Sequence, residues 1–315
     1  KAERVIPLGA QTVSKSRLTL PPGIAPLYAT RAEGCKIWDV DGNEYIDLVA
    51  GLAAVNIGYG DKEISNAVIA QVPHGVTISL AHPIEEEVAQ LIVDLVPSAE
   101  MVRFGKNGSD ATSAAIRVAR GYTGRDHVIV CGYHGWHDWY LSANLGDDEN
   151  LAGHLLPGLD PKGVPQNLRG TVFPFNYNNY AELETLVNTQ DIGVIKMEVV
   201  RNKGPEDNFL HKVRKLATDR GIVLIFDECT SGFRQTFGGL HKMYGVEPDM
   251  AMFGKALGNG LELRVDLNES IHHIGVEVGT AFAHNHLDRR FVGHAVFVNL
   301  VGNHRVIHIG QGHNA

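Results

Sequence analysis

The sequence predicts an α/β fold: a mainly parallel sheet wrapped by helices on both faces. Two patterns lead to it. Short, almost wholly apolar runs recur at 101–104, 127–131, 171–175, 192–199, 222–226 and 250–253, and helix-period stretches at 109–121, 180–188 and 208–220 lie between several of them. Strands covered on both faces read as continuous apolar runs, and parallel neighbours need a crossover between them, usually a helix. A third observation sets the limits of this body. The texture of the chain differs before about residue 50 and after Gly260, which divides it into an N-terminal segment (1–50), a large domain (51–260) and a tail (261–315).

Residues 1–26 are mixed and loop-like, and the stretch from Cys35 to Asp47 then alternates around Asp41-Gly42. An Asp-Gly pair tolerates the positive φ of a tight hairpin turn, so a β-hairpin is expected there. Helical periodicity at 61–71 and 84–96 follows, the second stretch closed by Pro97. The Gly/Asn/Asp-rich piece 142–170 reads as an insertion loop over one sheet edge. Beyond Gly260 the tail holds eight of the sixteen histidines and no lysine, tryptophan or proline. Such a loss of punctuation is anomalous in a chain that is otherwise locally consistent. Its His272-His273 and His284-x-His286 could bind a metal, a reading that their scatter along the tail disfavours.

Composition bounds the function. A net charge of −8 leaves no basic footprint for nucleic acid, so an anionic substrate would be held by local arginines, lysines or backbone donors. Cys35, Cys131 and Cys229 lack paired spacing, as in a reduced, cytoplasmic protein. There is no apolar run of about 18 residues, hence no expected membrane span. The chain opens at Lys1 without a methionine or a signal-peptide pattern, which is compatible with a fragment.

In a parallel α/β sheet ligands gather at the carboxyl ends of the strands. Four such ends carry chemistry. Phe104-Gly-Lys-Asn-Gly-Ser-Asp-Ala111 runs through a glycine-rich turn into a helix. There Gly105 and Gly108 allow close backbone approach, the helix dipole favours a phosphate, and Ser109 offers a hydroxyl or a cap. Alone, Gly-Ser before a helix is more often plain capping. Cys131-Gly-Tyr-His-Gly-Trp-His-Asp138 sets an aromatic among glycines, placed to stack on a flat cofactor. A surface turn, or a zinc site of His134, His137 and Asp138, are the rival readings; zinc needs further convergent ligands.

The third end, 222–234, closes an apolar strand with Asp227, followed by Glu228 and Cys229. A carboxylate there is costly unless a cation meets it, and a protonated pyridine nitrogen is such a partner. Alternation puts Cys229 on the same side as Asp227, where it could pack beneath the ring. A magnesium-binding Asp-Glu pair would need a phosphate-binding P-loop, which is missing. The fourth end, 250–260, delivers Lys255 among glycines after an apolar strand. Shielding from water lowers a lysine's pKa, as Schiff-base chemistry requires, although most lysines are simply solvated. Together the four would hold one molecule of pyridoxal 5'-phosphate (PLP): a cradle, a stacking ring, an acid for the ring nitrogen and an amine for the aldehyde.

Asn107-Gly108-Ser109, Tyr133-His134-Gly135, Asp227-Glu228 with Gly232-Phe233-Arg234, and Gly254-Lys255 with Gly258 and Gly260 resemble the class-III aminotransferases, nearest to the glutamate-1-semialdehyde 2,1-aminomutase branch. The likeness starts at Trp38-Asp-Val-Asp-Gly-Asn-Glu-Tyr-Ile-Asp47 and runs to Gly260, about five-sixths of the chain. The resemblance implies fold type I of the PLP-dependent transferases and a homodimer with its sites at the subunit interface. It implies that Lys255 forms the internal aldimine and shuttles protons, and that Asp227 pairs with the pyridine nitrogen. Tyr133 and Cys229 would face the ring, Gly108 and Ser109 would hold the phosphate with Asn107 in the same turn, and His134 would belong to the cofactor contacts. Glu198 matches a family glutamate on the substrate side, or is a solvated strand-end acid.

The phosphate turn departs from the family's usual Ser-Gly-Thr-Glu-Ala. Beyond Gly260 the family continues through a cofactor-contacting threonine and a C-terminal domain, which is expected to be truncated or replaced here. Thr280, within Gly279-Thr280-Ala-Phe282, is not assigned to that threonine. The expected activity is amino-group transfer on a small amine or amino acid, by transamination or by 2,1-aminomutation. The alternative is a non-catalytic remnant that binds cofactor weakly or serves only in assembly. A nicotinamide oxidoreductase is disfavoured because no G-x-G-x-x-G follows a strand.

Overall fold

The computed structural model describes residues 1–76, 78–146, 151 and 160–260, together with the backbone of 280–284. Strands β1 (Ala29–Glu33), β2 (Lys36–Asp39) and β3 (Glu44–Ile46) form a three-stranded antiparallel sheet in that order. β2 and β3 are the expected hairpin, with Gly42 at φ 86° in its turn. Asp39 fixes the turn by accepting the Asp41 and Asn43 N–H groups, each at 2.9 Å, and the Tyr45 hydroxyl at 2.9 Å. Three helical segments follow: the short α1 (Ala50–Ala53), α2 (Lys62–Gln71) and α3 (Pro83–Leu95). Asp61 caps α2 through the Ile64 N–H. At α3, Pro83 fills the first turn, where its missing N–H costs nothing, while His82 Nδ1 accepts the Ile84 N–H and Glu85 accepts the His82 N–H.

The main body is a seven-stranded sheet crossed by helices. In chain order it comprises β4 (Met101–Gly105), α4 (Gly108–Thr123), β5 (His127–Cys131), α5 (Asp138–Leu141), β6 (Val172–Pro174), α6 (Tyr180–Thr189), β7 (Ile192–Glu198), α7 (Phe209–Arg220), β8 (Val223–Glu228), β9 (Met250–Gly254) and β10 (Thr280–His284). The spatial order is β4-β10-β9-β8-β7-β5-β6. The run from β6 to β9 is parallel, and β10 is antiparallel to both its neighbours. Pro174, which cannot donate to a ladder, sits on the edge strand β6.

A side-chain period of two splits the apolar runs between two cores. Val128, Val130, Val194, Val223 and Ile225 turn to the α4 face, while Ile129, Ile195, Met197, Leu224 and Phe226 turn to the face covered by α7. All ten are buried, each worth about 1.5–3 kcal/mol of transfer free energy, which explains the lack of polar alternation in the strands. A third cluster packs Ile92 of α3 and Val96, just past its end, against Ala251 and Phe253 of β9.

Two expectations change here. Residues 280–284, part of the tail set apart at Gly260, form a strand inside the main sheet between β4 and β9. The rest of 261–315, including the other tail histidines, lies outside the described residues. The stretch 142–170 is also more than a loop over an edge: Ala143, Leu145, Leu151 and Val164 are buried in the core on the α4 face. Among the described residues no helix is long and apolar enough to cross a membrane.

Candidate active site

The carboxyl ends of β5, β7, β8 and β9 converge on a cavity of about 1320 Å³. Tyr133, Trp136, Glu198, Arg201, Arg234 and Lys255 line it, and Val49, Leu52 and Ala53, in and around α1, close one side. That side is tied to the lysine turn. Asn259 accepts the N–H groups of Asn56 (2.8 Å) and Ile57 (3.0 Å) and donates to the Gly58 carbonyl at 3.0 Å.

Asp227 ends the apolar strand β8 and is 6% exposed. Its Oδ1 accepts the Cys229 N–H at 3.1 Å; its Oδ2 meets His134 Nδ1 at 2.9 Å and is bonded directly by Lys196 Nζ. Burial works to raise the Asp227 pKa, but the Lys196 charge and the His134 hydrogen bond outweigh it and hold the carboxyl far below its usual range. Asp227 is therefore an anion, as a pyridinium partner requires. Burial, and then the Asp227 charge, push the Cys229 thiol well up, so Cys229 stays protonated.

Lys255 opens the turn after β9 at φ 48°, in the left-handed region, and its Nζ donates to Thr230 Oγ1 at 2.6 Å. Across the cavity Glu198 ends β7 and pairs with Arg201 at 2.8 Å. Burial, and then the Asp227 charge, raise the Glu198 pKa against the opposing pull of Arg201. Glu198 is thus a largely enclosed acid, and the solvated reading is set aside. Burial also raises the Tyr133 hydroxyl, keeping it protonated.

The turn before α4 is capped by Asn107, whose Oδ1 accepts the Asp110 N–H at 3.0 Å; Ser109, offered above as a cap, is the second helical residue instead. Helix geometry leaves the Gly108 and Ser109 N–H groups without intrahelical partners, pointing out of the N-terminus. The turn after β5 lies against this terminus. A Cβ on Gly135 would fall 2.3 Å from Ser109 Oγ, and one on Gly132 would fall 2.6 Å from Glu198 Oε2. These glycines, at φ 97° and 122°, let Tyr133 sit close to both the helix terminus and Glu198.

The structure thus brings Tyr133, Glu198 and Lys255 to one cavity and sets Asp227, His134 and Cys229 together at the strand ends beside it. Asn107 is exposed and serves as the cap, away from the cavity wall. The three zinc candidates of the sequence do not share a centre: His134 turns to Asp227, whereas His137 meets Ser113 Oγ at 2.6 Å. Lys196 is the residue that sequence reasoning missed. Its signal was a lysine inside a strand otherwise read as apolar on both faces.

This sheet, with its antiparallel strand between β4 and β9 and its site at the strand ends, is that of a fold type I PLP-dependent transferase. The family profile described as Aminotransferase class-III matches residues 21–287, past Gly260, and the chain belongs to that family. The 3-aminobutyryl-CoA aminotransferase of Cloacimonas acidaminovorans is 36% identical over 269 residues, covering 82% of this chain and 61% of that protein. The glutamate-1-semialdehyde 2,1-aminomutase of Geotalea daltonii is 39% identical over 269 residues, covering 83% of this chain and 61% of its own length. The FumI protein of Sphingopyxis sp. MTA144, solved in its PLP internal aldimine form, superposes with a TM-score of 0.73 at 27% identity over 90% of this chain and 63% of that one. The chain spans about three-fifths of the length of the curated relatives it matches.

Proposed function

We propose that the protein binds PLP and moves the amino group of a small amine or amino acid, by transamination or by 2,1-aminomutation. The observation that carries this reading is the ionised, buried Asp227 set in the sheet beside a cavity into which Lys255 projects. PLP, when bound, supplies an electron-withdrawing ring conjugated to the substrate nitrogen.

The chain's own groups do the rest. The Gly108 and Ser109 N–H groups would hold the phosphate at the positive end of α4. Tyr133 and Cys229 would contact the ring, and Asp227 would accept from the ring nitrogen. Lys255 Nζ, oriented by Thr230 Oγ1, would hold the cofactor and would take and return the substrate proton. Glu198 and Arg201 face the substrate side. The exposed apolar residues Leu48, Val49, Leu52 and Ile57 border this region, and a second copy of the chain is proposed to cover them.

The test is spectroscopic. PLP added to the full chain should give a visible absorbance band that Lys255→Ala abolishes while still binding cofactor reversibly; a band that survives the substitution sinks the reading. Incubation with an amino donor, with and without a keto acceptor, separates the two activities, since an absolute need for the acceptor excludes the mutase. Sedimentation velocity should return twice the chain mass.

A further inference from the structure

Lys196 lies in the middle of β7, between Ile195 and Met197, and its side chain is wholly buried. Its register partners are Val130 on β5 and Ile225 on β8. Alternation turns it to the α4 face, the side that Asp227 also takes, where the two bond directly. Its alkyl stem packs no better than a methionine would, so what lysine adds at this position is charge. Removing an ammonium and a carboxylate from water costs several kcal/mol per ion, and apolar replacements of such pairs are often neutral or stabilising. Stability alone therefore does not account for Lys196.

Other groups facing Asp227 come from each neighbouring element. His134, after β5, bonds the same oxygen at 2.9 Å, and the Cys229 N–H bonds the other at 3.1 Å. Glu198 is its register partner on β7 and is itself paired with Arg201. Lys255, on the turn after β9, acts on Cys229 electrostatically, and Thr112 of α4 gives its hydroxyl to Met252 and brings no charge. Lys196 is the one lysine or arginine bonded to Asp227 among the described residues, and His134, on the same oxygen, is a cation only when protonated.

On the reading of Asp227 as partner of the cofactor's ring nitrogen, we propose that Lys196 is a positioning residue: it holds Asp227 as an oriented anion in the cofactor-free protein, so the proton shared with the ring nitrogen enters with the cofactor. A buried carboxyl without a cation takes up a proton of its own. In the wild type, the carboxylate and the ring nitrogen share one proton delivered from solvent or carried by the ring. With methionine at 196, the same proton already resides on Asp227, so none is taken up when the ring arrives unprotonated and one is released when the ring arrives carrying its own. The two proteins then differ by one proton per cofactor bound.

The first measurement uses cofactor-free protein, unfolded in urea between pH 5 and 8, for wild type, Lys196→Met, Lys196→Arg and Lys196→Met/Asp227→Asn. In the wild type the folded Asp227 pKa is depressed, so its contribution is present above the unfolded value and is lost only as pH falls through the folded one. In Lys196→Met the folded pKa is raised above the unfolded one, so stability declines as pH rises, by up to about tenfold in the unfolding constant per pH unit. The double variant should lose that slope, and Lys196→Arg should restore the wild-type profile. If Lys196→Met does not fold, the double variant decides: its folding supports the inference, and its failure overturns it by making Lys196 a packing residue.

The second measurement is calorimetry of PLP binding in two buffers of different ionisation enthalpy. Wild type should take up about one proton more than Lys196→Met; equal uptake together with equal pH profiles overturns the inference. Absence of any Lys255-dependent band in wild type sinks the functional reading instead, while the urea profiles still report whether Lys196 holds Asp227 charged.

Discussion

Lys255 stands at φ 48°, a backbone region that costs an L-residue about 1–2 kcal/mol and glycine almost nothing. Removing its side chain therefore has an unusual ordering. Cofactor-free Lys255→Gly should be more stable than Lys255→Ala by about 1 kcal/mol in urea unfolding, the reverse of the usual helical preference. Gly135 makes the opposite demand. Alanine there combines φ 97° with a Cβ 2.3 Å from Ser109 Oγ, so Gly135→Ala should lose about 1–3 kcal/mol. It should also weaken phosphate binding, read as a higher PLP dissociation constant. At this scale Asp227 and Lys255 were legible because each is a polar group ending an apolar run. Lys196 was not, because its partner is 31 positions away in sequence and only strand register brings the two together.

The strands were equally legible as elements, since burial on both faces writes itself as unbroken apolar runs. Observed bounds differ from expected ones by a residue or two, because caps such as Asn107, Asn179 and Asp61 decide where helices begin. Two strands escaped. β1 is largely exposed and carries little apolar signal, and β10 is a five-residue piece whose partners lie far away in sequence. The core of β8 gives a graded test. Ile225 is fully buried on the α4 face, so Ile225→Val should cost about 0.5–1.5 kcal/mol and Ile225→Ala about 2–5 kcal/mol in the unfolding midpoint. A loss below 1 kcal/mol for alanine would mean the two-core account of the sheet is wrong.

Across the whole molecule, the stretch 56–58 reaches the site through Asn259, whose side chain makes three hydrogen bonds to it. Asn259→Ala should cost about 1–3 kcal/mol and make the segment around 48–60 more sensitive to limited proteolysis. This coupling was invisible in the sequence, because it joins residues some 200 positions apart through one side chain.

The position of β10 also fixes an order of events during synthesis. Its first residue, Thr280, pairs with Gly105 on one side and Gly254 on the other, the last residues of β4 and β9. Among the described residues β4 has no other strand partner. The turn offered to the phosphate and the turn carrying Lys255 are therefore not seated in one sheet until the ribosome has released residue 284. Until then a nascent chain leaves β4 without a strand partner, and only the packing of α4 on β7, β8 and β9 holds the two turns near each other.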